Sequence, residues 1–503
     1  MDRSREVTVG DMTNAPDVRS GIVAVSRDCF PIDLSRRRRR AVGEACRARS
    51  LELTEMETIV ENERNVLEAL EELERAGVNA LVIYLGNFGP EGPSTLLAQR
   101  FPGPVMFAAA AEESGEDLVN GRGDAYCGLL SASYSVGLRS LRVHIPEYPV
   151  GLADDVAAMI AEFVPVARVV LGVRQLKIFS FGPRPWDFYA CNAPIKPLFD
   201  LGLEIMENSE LDLLEVYRGA EGHPDVPRVA AEMAAELGGG NRYPDLLTRL
   251  AQMEVGLLGF VAQHLGASRY AAFANKCWPA FEPNFGFVPC FINSRLAARG
   301  MPVACEADIY GALSEYLAAC ATLKPVTLLD INNTVPADLA AGAAAAVEGY
   351  RPTDLFMGFH CGNTPGGCLV GGEMRHQLIM HRLMEPGQEP NITRGTLEGR
   401  IRPGEATILR LQSTADAKLK AYVAEGEVLD MPTRTFGGTG VLAIREMGRF
   451  YRHVLIEQRF PHHTAVAFEH AGRTLFAALR LLGVDDIGWN RPAGLLYATE
   501  NPF

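Results

Sequence analysis

Three polar positions set into apolar surroundings late in the chain have the types and contexts to do chemistry. Glu306 follows the strand-like Val303-Ala304-Cys305 and precedes a helix-like segment with the small residues Gly311 and Ala312. A carboxylate at the C-terminal end of a strand lies in the cleft of an α/β domain. The alternative is that Glu306 or Asp308 caps the helix that follows. Asp330 ends the apolar run in PVTLLD, 24 residues further on. An isolated buried carboxylate costs several kcal/mol, so this one must be paired, capped by an Asx turn with Asn332 or Asn333, or bound to a cation. The third position is the pair His462-His463, ahead of the apolar AVAF and then His470. Two carboxylates and a histidine suit an octahedral Mn²⁺ or Mg²⁺ site with open positions for oxygen ligands, whereas zinc favours more His or Cys.

Two further clusters are polar and flanked by aromatics: Asn275-Lys276-Cys277-Trp278-Pro279 and Phe359-His360-Cys361-Gly362-Asn363. Such clusters suit a sugar, which offers hydroxyls at its edges and C–H groups to a ring face. Core packing for Trp278 and a satisfied buried imidazole for His360 are the structural alternatives. Other chemistries lack their motifs. LGNFGPEGPS and FGPRP carry prolines where a dinucleotide-binding helix should begin, and there is no nucleophile elbow, Walker loop or His-Glu-x-x-His helix.

The elements that must position these residues read as α/β. GIVAVSRDCF (21–30) is a β-branched run, and 51–77 carries apolar residues at helical spacing up to Gly77. NALVIYL, PVMFAAA (104–110) and LRSLRVHIP (138–146) read as further strands, separated by helix-length segments, the mark of a parallel sheet. The pattern restarts at QLKIFSFGPRPWDF (175–188) and runs to a helix around ADIYGALSEYLAACATL. From Lys324 the texture changes to short alternating strands with glycine punctuation, closed by a helix over 470–483. The expectation is therefore two doubly wound, Rossmann-like parallel-sheet domains (1–172 and 173–323) and a mixed or antiparallel, barrel-like C-terminal domain (324–503).

The 503 residues, 48% of them hydrophobic, suffice for about three domains with cores of their own. A net charge of −14 repels phosphate backbones and argues against a nucleic-acid partner. The opening MDRSREVTVGDMTN has no apolar signal core, and no stretch reads as the roughly 18 apolar residues that cross a bilayer. No membrane partner and a cytoplasmic location are expected. Ten cysteines without a Cys-x-x-Cys read as reduced packing residues. The arginine run 36–40 reads as a solvated helix face or subunit contact, and AAGAAAAV (340–347) as a helix former.

Five segments together, ANKCWP (274–279), ACEADIYGAL (304–313), LLDINN (328–333), GFHCGN (358–363) and FPHHTAVAFEHAG (460–472), resemble the L-fucose/L-arabinose isomerase family, particularly the fucose isomerase branch. The resemblance implies a metal-dependent aldose–ketose isomerase working through an ene-diolate on a free sugar such as L-fucose or D-arabinose. It puts the ligand roles on Glu306, Asp330 and His463, with Mn²⁺, or another divalent cation such as Mg²⁺ or Co²⁺, as the metal. His463 is preferred to His462 because the family's Asn-His-Gly-Ala segment aligns with His462-His463-Thr464-Ala465. Glu306 and Asp330 double as the acid/base pair, Lys276, Trp278, His360 and Asn363 contact substrate, and His360 stands in or near the ligand set. A homo-oligomer, a hexamer by preference, is implied, with a loop near Asn87 or Arg122 facing a neighbour's cleft. The Gly that follows the ligand histidine in the family is Thr464 here, which leaves open a different or modified sugar. A sugar-binding protein without catalysis is the alternative from another class.

Overall fold

The computed structural model describes residues 14–119 and 121–502, so the polar opening segment 1–13 lies outside the described residues. The described residues divide into two compact units, one of residues 16–171 with 473–484, the other of 14–15, 172–472 and 485–502.

The first unit is built on a parallel sheet of β1 (Ser20–Val25), β2 (Thr54–Glu55), β3 (Ala80–Leu85), β4 (Val105–Ala110) and β5 (Val150–Gly151), in the order β2-β1-β3-β4-β5. Every residue of β1, β3 and β4 is buried, as continuous apolar runs must be when helices cover both faces. Three expectations need correction. The helix expected over 51–77 is Glu63–Arg75, started by Asn62, whose side chain accepts from the Arg64 and Asn65 amides; the residues before it form β2 and a loop. The strand expected over 138–146 reduces to one bridge between Met106 and His144. In the arginine run, Arg38 and Arg39 are buried rather than solvated: Arg38 binds the Gly86 carbonyl at 2.8 Å and pairs with Glu112, and Arg39 donates to the Met56 carbonyl. They clamp the helix Ile32–Ala48 to the segments that follow β2, β3 and β4. Among the described residues one helix, Ala153–Val173, is long and apolar enough to cross a membrane by length and composition, and it is mostly buried.

The second unit holds a parallel sheet of β6 (Leu176–Phe181), β7 (Glu204–Asn208), β8 (Tyr270–Ala274) and β9 (Val303–Ala304), in the order β7-β6-β8-β9. Its four strands repeat the order of the first four in the first unit's sheet, with the direction of growth reversing between β6 and β8. Crevices outside the carboxyl ends of strands at such a reversal are where α/β sheets bind ligands. The β-rich region expected after Lys324 is one nine-stranded mixed sheet. It comprises β10 (Val326–Asn333), β11 (Leu355–His360), β12 (Leu369–His376), β13 (Arg394–Ile401), β14 (Gly404–Ser413), β15 (Leu419–Val428), β16 (Gly438–Ala443), β17 (His463–Ala467) and β18 (Asp486–Trp489). Most pairs are antiparallel, while β13 with β16 and β15 with β18 run parallel. The almost wholly buried helix Ile309–Thr322 packs on β8 of the parallel sheet and on β14 and β17 of the mixed one. The segment 340–347 is helical only to Ala341, at the end of the helix Ala337–Ala341.

Candidate active site

Glu306 lies two residues beyond β9, with Ala307 next to it, both in the left-handed backbone region at φ 61° and 58°. Non-glycine residues hold that conformation only where their surroundings over-determine it. Here the Asn275 amide donates to the Ala304 carbonyl (3.0 Å) and the Ala307 amide to the Asn275 carbonyl (2.8 Å). The Asn275 side chain is itself locked by a reciprocal amide pair with Asn293. The helix cap is Asp308, whose carboxylate accepts from the Gly311 amide at 2.9 Å, so Glu306 is left for other work.

Asp330 does not end its strand. It stands in the middle of β10, opposite His463 on β17 and Phe359 on β11, where the strand passes from buried to exposed. Asn332 and Asn333 continue the strand, so no Asx turn forms there. His463 opens β17 and is 1% exposed, against 34% for His462. Its Nε2 lies 3.3 Å from Glu306 Oε2 and 3.5 Å from Asp330 Oδ1, where His462 Nε2 stands at 4.0 and 3.7 Å. Thr464 points to the other face of β17, donating to the Leu409 carbonyl, and stays clear of this cluster.

Behind His463 lies a buried network that the sequence did not disclose. Asp308, 1% exposed, accepts from His463 Nδ1 at 2.8 Å and takes both arms of Arg410, which is 0% exposed. Arg410 is braced in turn by Gln412. A side chain at position 311 would meet Asp308 Oδ2 at 2.7 Å and Arg410 Nη1 at 3.2 Å, which is why glycine follows the cap. With its Nδ1 proton given to Asp308, His463 presents Nε2 to the carboxylates, the carboxylate–histidine arrangement that orients metal ligands. His463 Nε2 and Asp330 Oδ1 are buried without a hydrogen-bond partner among the described residues.

The electrostatics follow the packing. Burial pushes Asp330 up to about 6, with Glu306 adding to the rise and His463 opposing it. Burial also raises Glu306, but the nearby His463, 3.3 Å away, outweighs it with its charge and holds the acid below its ordinary value. Complete burial lowers His463, yet Asp308, Cys191 and Glu306 together hold it well above the usual imidazole range. His360 is driven down to about 3 and His462 to about 4, chiefly by burial.

His360, at the end of β11, is 4% exposed, and its Nδ1 accepts the Cys361 amide at 2.9 Å. In the neutral tautomer that accepts at Nδ1 its Nε2 is a donor, although Asp330, His360 and His463 also stand close enough together to share an ion. If the cluster binds a cation and turns over a substrate, His360→Ala is expected to keep the cation while kcat/KM falls by about 10²-fold, the scale for losing one donor to a reacting oxygen; loss of cation on elemental analysis would make His360 a ligand instead.

Lys276 is 5% exposed and pairs with Glu210 at 3.2 Å. Trp278 packs beside the thiols Cys277, Cys290 and Cys305, and it meets Trp186 and Phe188 edge-on at 5.4 and 6.1 Å. Phe188 meets His462 in the same way at 5.4 Å, so these rings wall one side of the cluster. Asn363 is buried, with its Oδ1 unpartnered among the described residues. Cys191 Sγ stands 3.8 Å from both Glu306 Oε2 and His463 Nδ1. The sequence reading missed Asp308 as more than a cap, and missed Arg410, Cys191, Trp186 and Phe188 altogether. FGPRPWDFYAC, the loop after β6, carried the only signal for the last three: aromatics beside a strand end.

Sequence comparison matches residues 21–174 to the N-terminal domain of fucose/sulfoquinovose isomerases and residues 358–489 to the C-terminal domain of L-fucose isomerase. Similar proteins include a sulfoquinovose isomerase of Alkalicoccus urumqiensis, 27% identical over 308 residues, covering 60% of this chain and 62% of that protein. Others are the sulfoquinovose isomerases of Priestia aryabhattai (24% over 335 residues, 64% and 66% covered) and of Clostridium sp. strain MSTE9 (26% over 322 residues, 62% and 65% covered). The matched segments thus span less than two thirds of these relatives' lengths.

Proposed function

Because the chain belongs to the fucose isomerase family, we propose that it is an aldose–ketose isomerase acting on a modified sugar, of the sulfonated kind that its relatives' name denotes. The observation that carries this reading is the convergence of Glu306 Oε2 and Asp330 Oδ1 on the unpartnered Nε2 of His463.

The donor set fits a divalent cation. Neighbouring ligands of an octahedral ion bound at 2.0–2.1 Å stand about 3 Å apart, and the two carboxylate oxygens lie 3.3 and 3.5 Å from the imidazole nitrogen. Glu306, Asp330 and His463 would hold Mn²⁺, or Mg²⁺ or Co²⁺ in its place. Such an ion, when bound, supplies Lewis acidity and a template for adjacent sugar oxygens.

Isomerisation moves one proton between C1 and C2 and another between O1 and O2, by way of an ene-diolate. Glu306 and Asp330 are the bases within reach, and positioned proton transfer of this kind contributes roughly 10²- to 10⁴-fold. His360 donates its Nε2 proton to a sugar oxygen, Lys276 and Asn363 bind hydroxyls, and Trp278 with Phe188 takes the C–H face. A homo-oligomer, hexameric by preference, goes with this reading. It is supported by the row Tyr126, Leu130, Tyr134 and Leu138, each more than half exposed at helical i+4 spacing on the helix Ala125–Leu138. Asn87 contributes nothing to such a contact, since it is fully buried with its amide spent on Ser26 and Pro31, whereas Arg122 is exposed.

The test strips the protein with EDTA, restores Mn²⁺, Mg²⁺ or Co²⁺, and measures ketose from sulfoquinovose, L-fucose and D-arabinose. Ketose is expected only with cation present, and no ketose from any sugar sinks the reading. Asp330→Asn keeps an oxygen of similar shape but loses the basic lone pair, so kcat should fall by roughly 10² or more with cation binding weakened only modestly. A near-normal kcat in that variant would make Asp330 structural.

A further inference from the structure

We infer that Arg184 is the anion anchor of the site, binding the sulfonate of the substrate through its guanidinium; this rests on the isomerase reading above. Arg184 sits in the loop that leaves β6, on one side of the strand-order reversal, while Lys276 and Trp278 leave β8 on the other side. The loop is fastened to the site on both flanks of Arg184. On its N-terminal side Gly182 packs so closely on Ala307 that a Cβ there would lie 3.0 Å from the Ala307 Cβ and 4.0 Å from Lys276 Cε. On its C-terminal side Trp186 and Phe188 meet Trp278 and His462, and Cys191 touches Glu306 and His463.

Between those anchors the guanidinium lies over the Tyr189 ring, 4.9 Å from its centroid, and its Nε is buried without an acceptor. Among the described residues no carboxylate pairs with it, although the chain carries 62 acidic side chains. Lys276, by contrast, is already neutralised by Glu210. A buried donor left unpaired by the protein calls for a partner from outside it, a water, an ion or a ligand. A guanidinium held over an aromatic face by its charge still has N–H groups to spare for paired hydrogen bonds with a tetrahedral oxyanion. In a protein of net charge −14, long-range attraction does not draw in an anionic sugar, so a local cation must select it.

The test compares sulfoquinovose with quinovose, which lacks only the sulfonate, and with glucose 6-phosphate. The wild type should prefer sulfoquinovose over quinovose in kcat/KM by at least 10²-fold. Arg184→Gln should lower that ratio at least tenfold, mainly through KM, and Arg184→Lys should fall between. Calorimetry on EDTA-stripped protein gives a second readout: the Kd for sulfoquinovose should weaken at least tenfold in Arg184→Gln and lose its dependence on salt. A ratio and Kd unchanged in Arg184→Gln or Arg184→Lys protein that melts like the wild type would overturn the assignment. So would a wild type that isomerises only quinovose, or that prefers the phosphate to the sulfonate. If none of the three sugars is isomerised, the isomerase reading fails for them, and the calorimetric comparison still decides Arg184.

Discussion

His463→Ala is expected to lose bound divalent cation and turnover together, by at least 10³-fold in kcat, while the protein stays folded. The stability part follows from the pairing behind the ring. Asp308 retains Arg410 when the imidazole is removed, so no buried charge is left uncompensated. The loss of cation follows from Nε2 of His463 standing closest to both carboxylates. His462→Ala is the control. Its Nε2 is farther from both and a third of its side chain is exposed, so that variant should keep its cation and lose activity only through the wall it forms with Phe188. Elemental analysis of both variants beside their melting curves decides the matter. Stoichiometric cation in His463→Ala, with loss in His462→Ala, would exchange the two roles.

The residues that could be read from sequence are those whose role is written locally. Unbroken apolar runs such as ALVIYL and VMFAAA specify buried parallel strands whatever surrounds them. Glu306, Asp330 and the histidine pair stand out because each interrupts such a run with a polar group. The misreadings arose where a distant partner decides. Periodicity over 51–77 runs on past the point where Asn62 restarts the chain as a helix, because pairing of Thr54 with Gly21 overrides it. Arg38 and Arg39 look solvated until Glu112 and the carbonyls of Gly86 and Met56 are folded against them. Arg410 lies in an alternating strand, GEATILRLQS, 102 residues from Asp308. No motif around either residue announces that the two form a buried pair. The glycine at 311 was the one local trace, since a cap followed by glycine three residues on leaves room for a group arriving from elsewhere.

That pair carries the remaining large effect. Both Asp308 oxygens are doubly occupied: Oδ2 takes His463 Nδ1 and one arm of Arg410, while Oδ1 takes the Gly311 amide and the other arm. Asparagine caps a helix as well as aspartate, so Asp308→Asn would be harmless if capping were the whole role. It puts an NH₂ donor where two other donors already point, and leaves a fully buried guanidinium without its counter-charge. The expected cost is about 3–5 kcal/mol, the scale for breaking a buried ion pair on one side. Cation affinity should fall about 10- to 100-fold, because His463 loses the carboxylate that fixes its ring. Adding Arg410→Met separates the two effects. With the stranded guanidinium gone, part of the lost stability should return, yet cation affinity should stay low, since nothing restores a charged acceptor at His463 Nδ1. Denaturant unfolding and cation titration of the single and double variants measure this directly. A single variant as stable as the wild type would reduce Asp308 to a cap, and recovery of affinity in the double variant would place the orienting charge elsewhere.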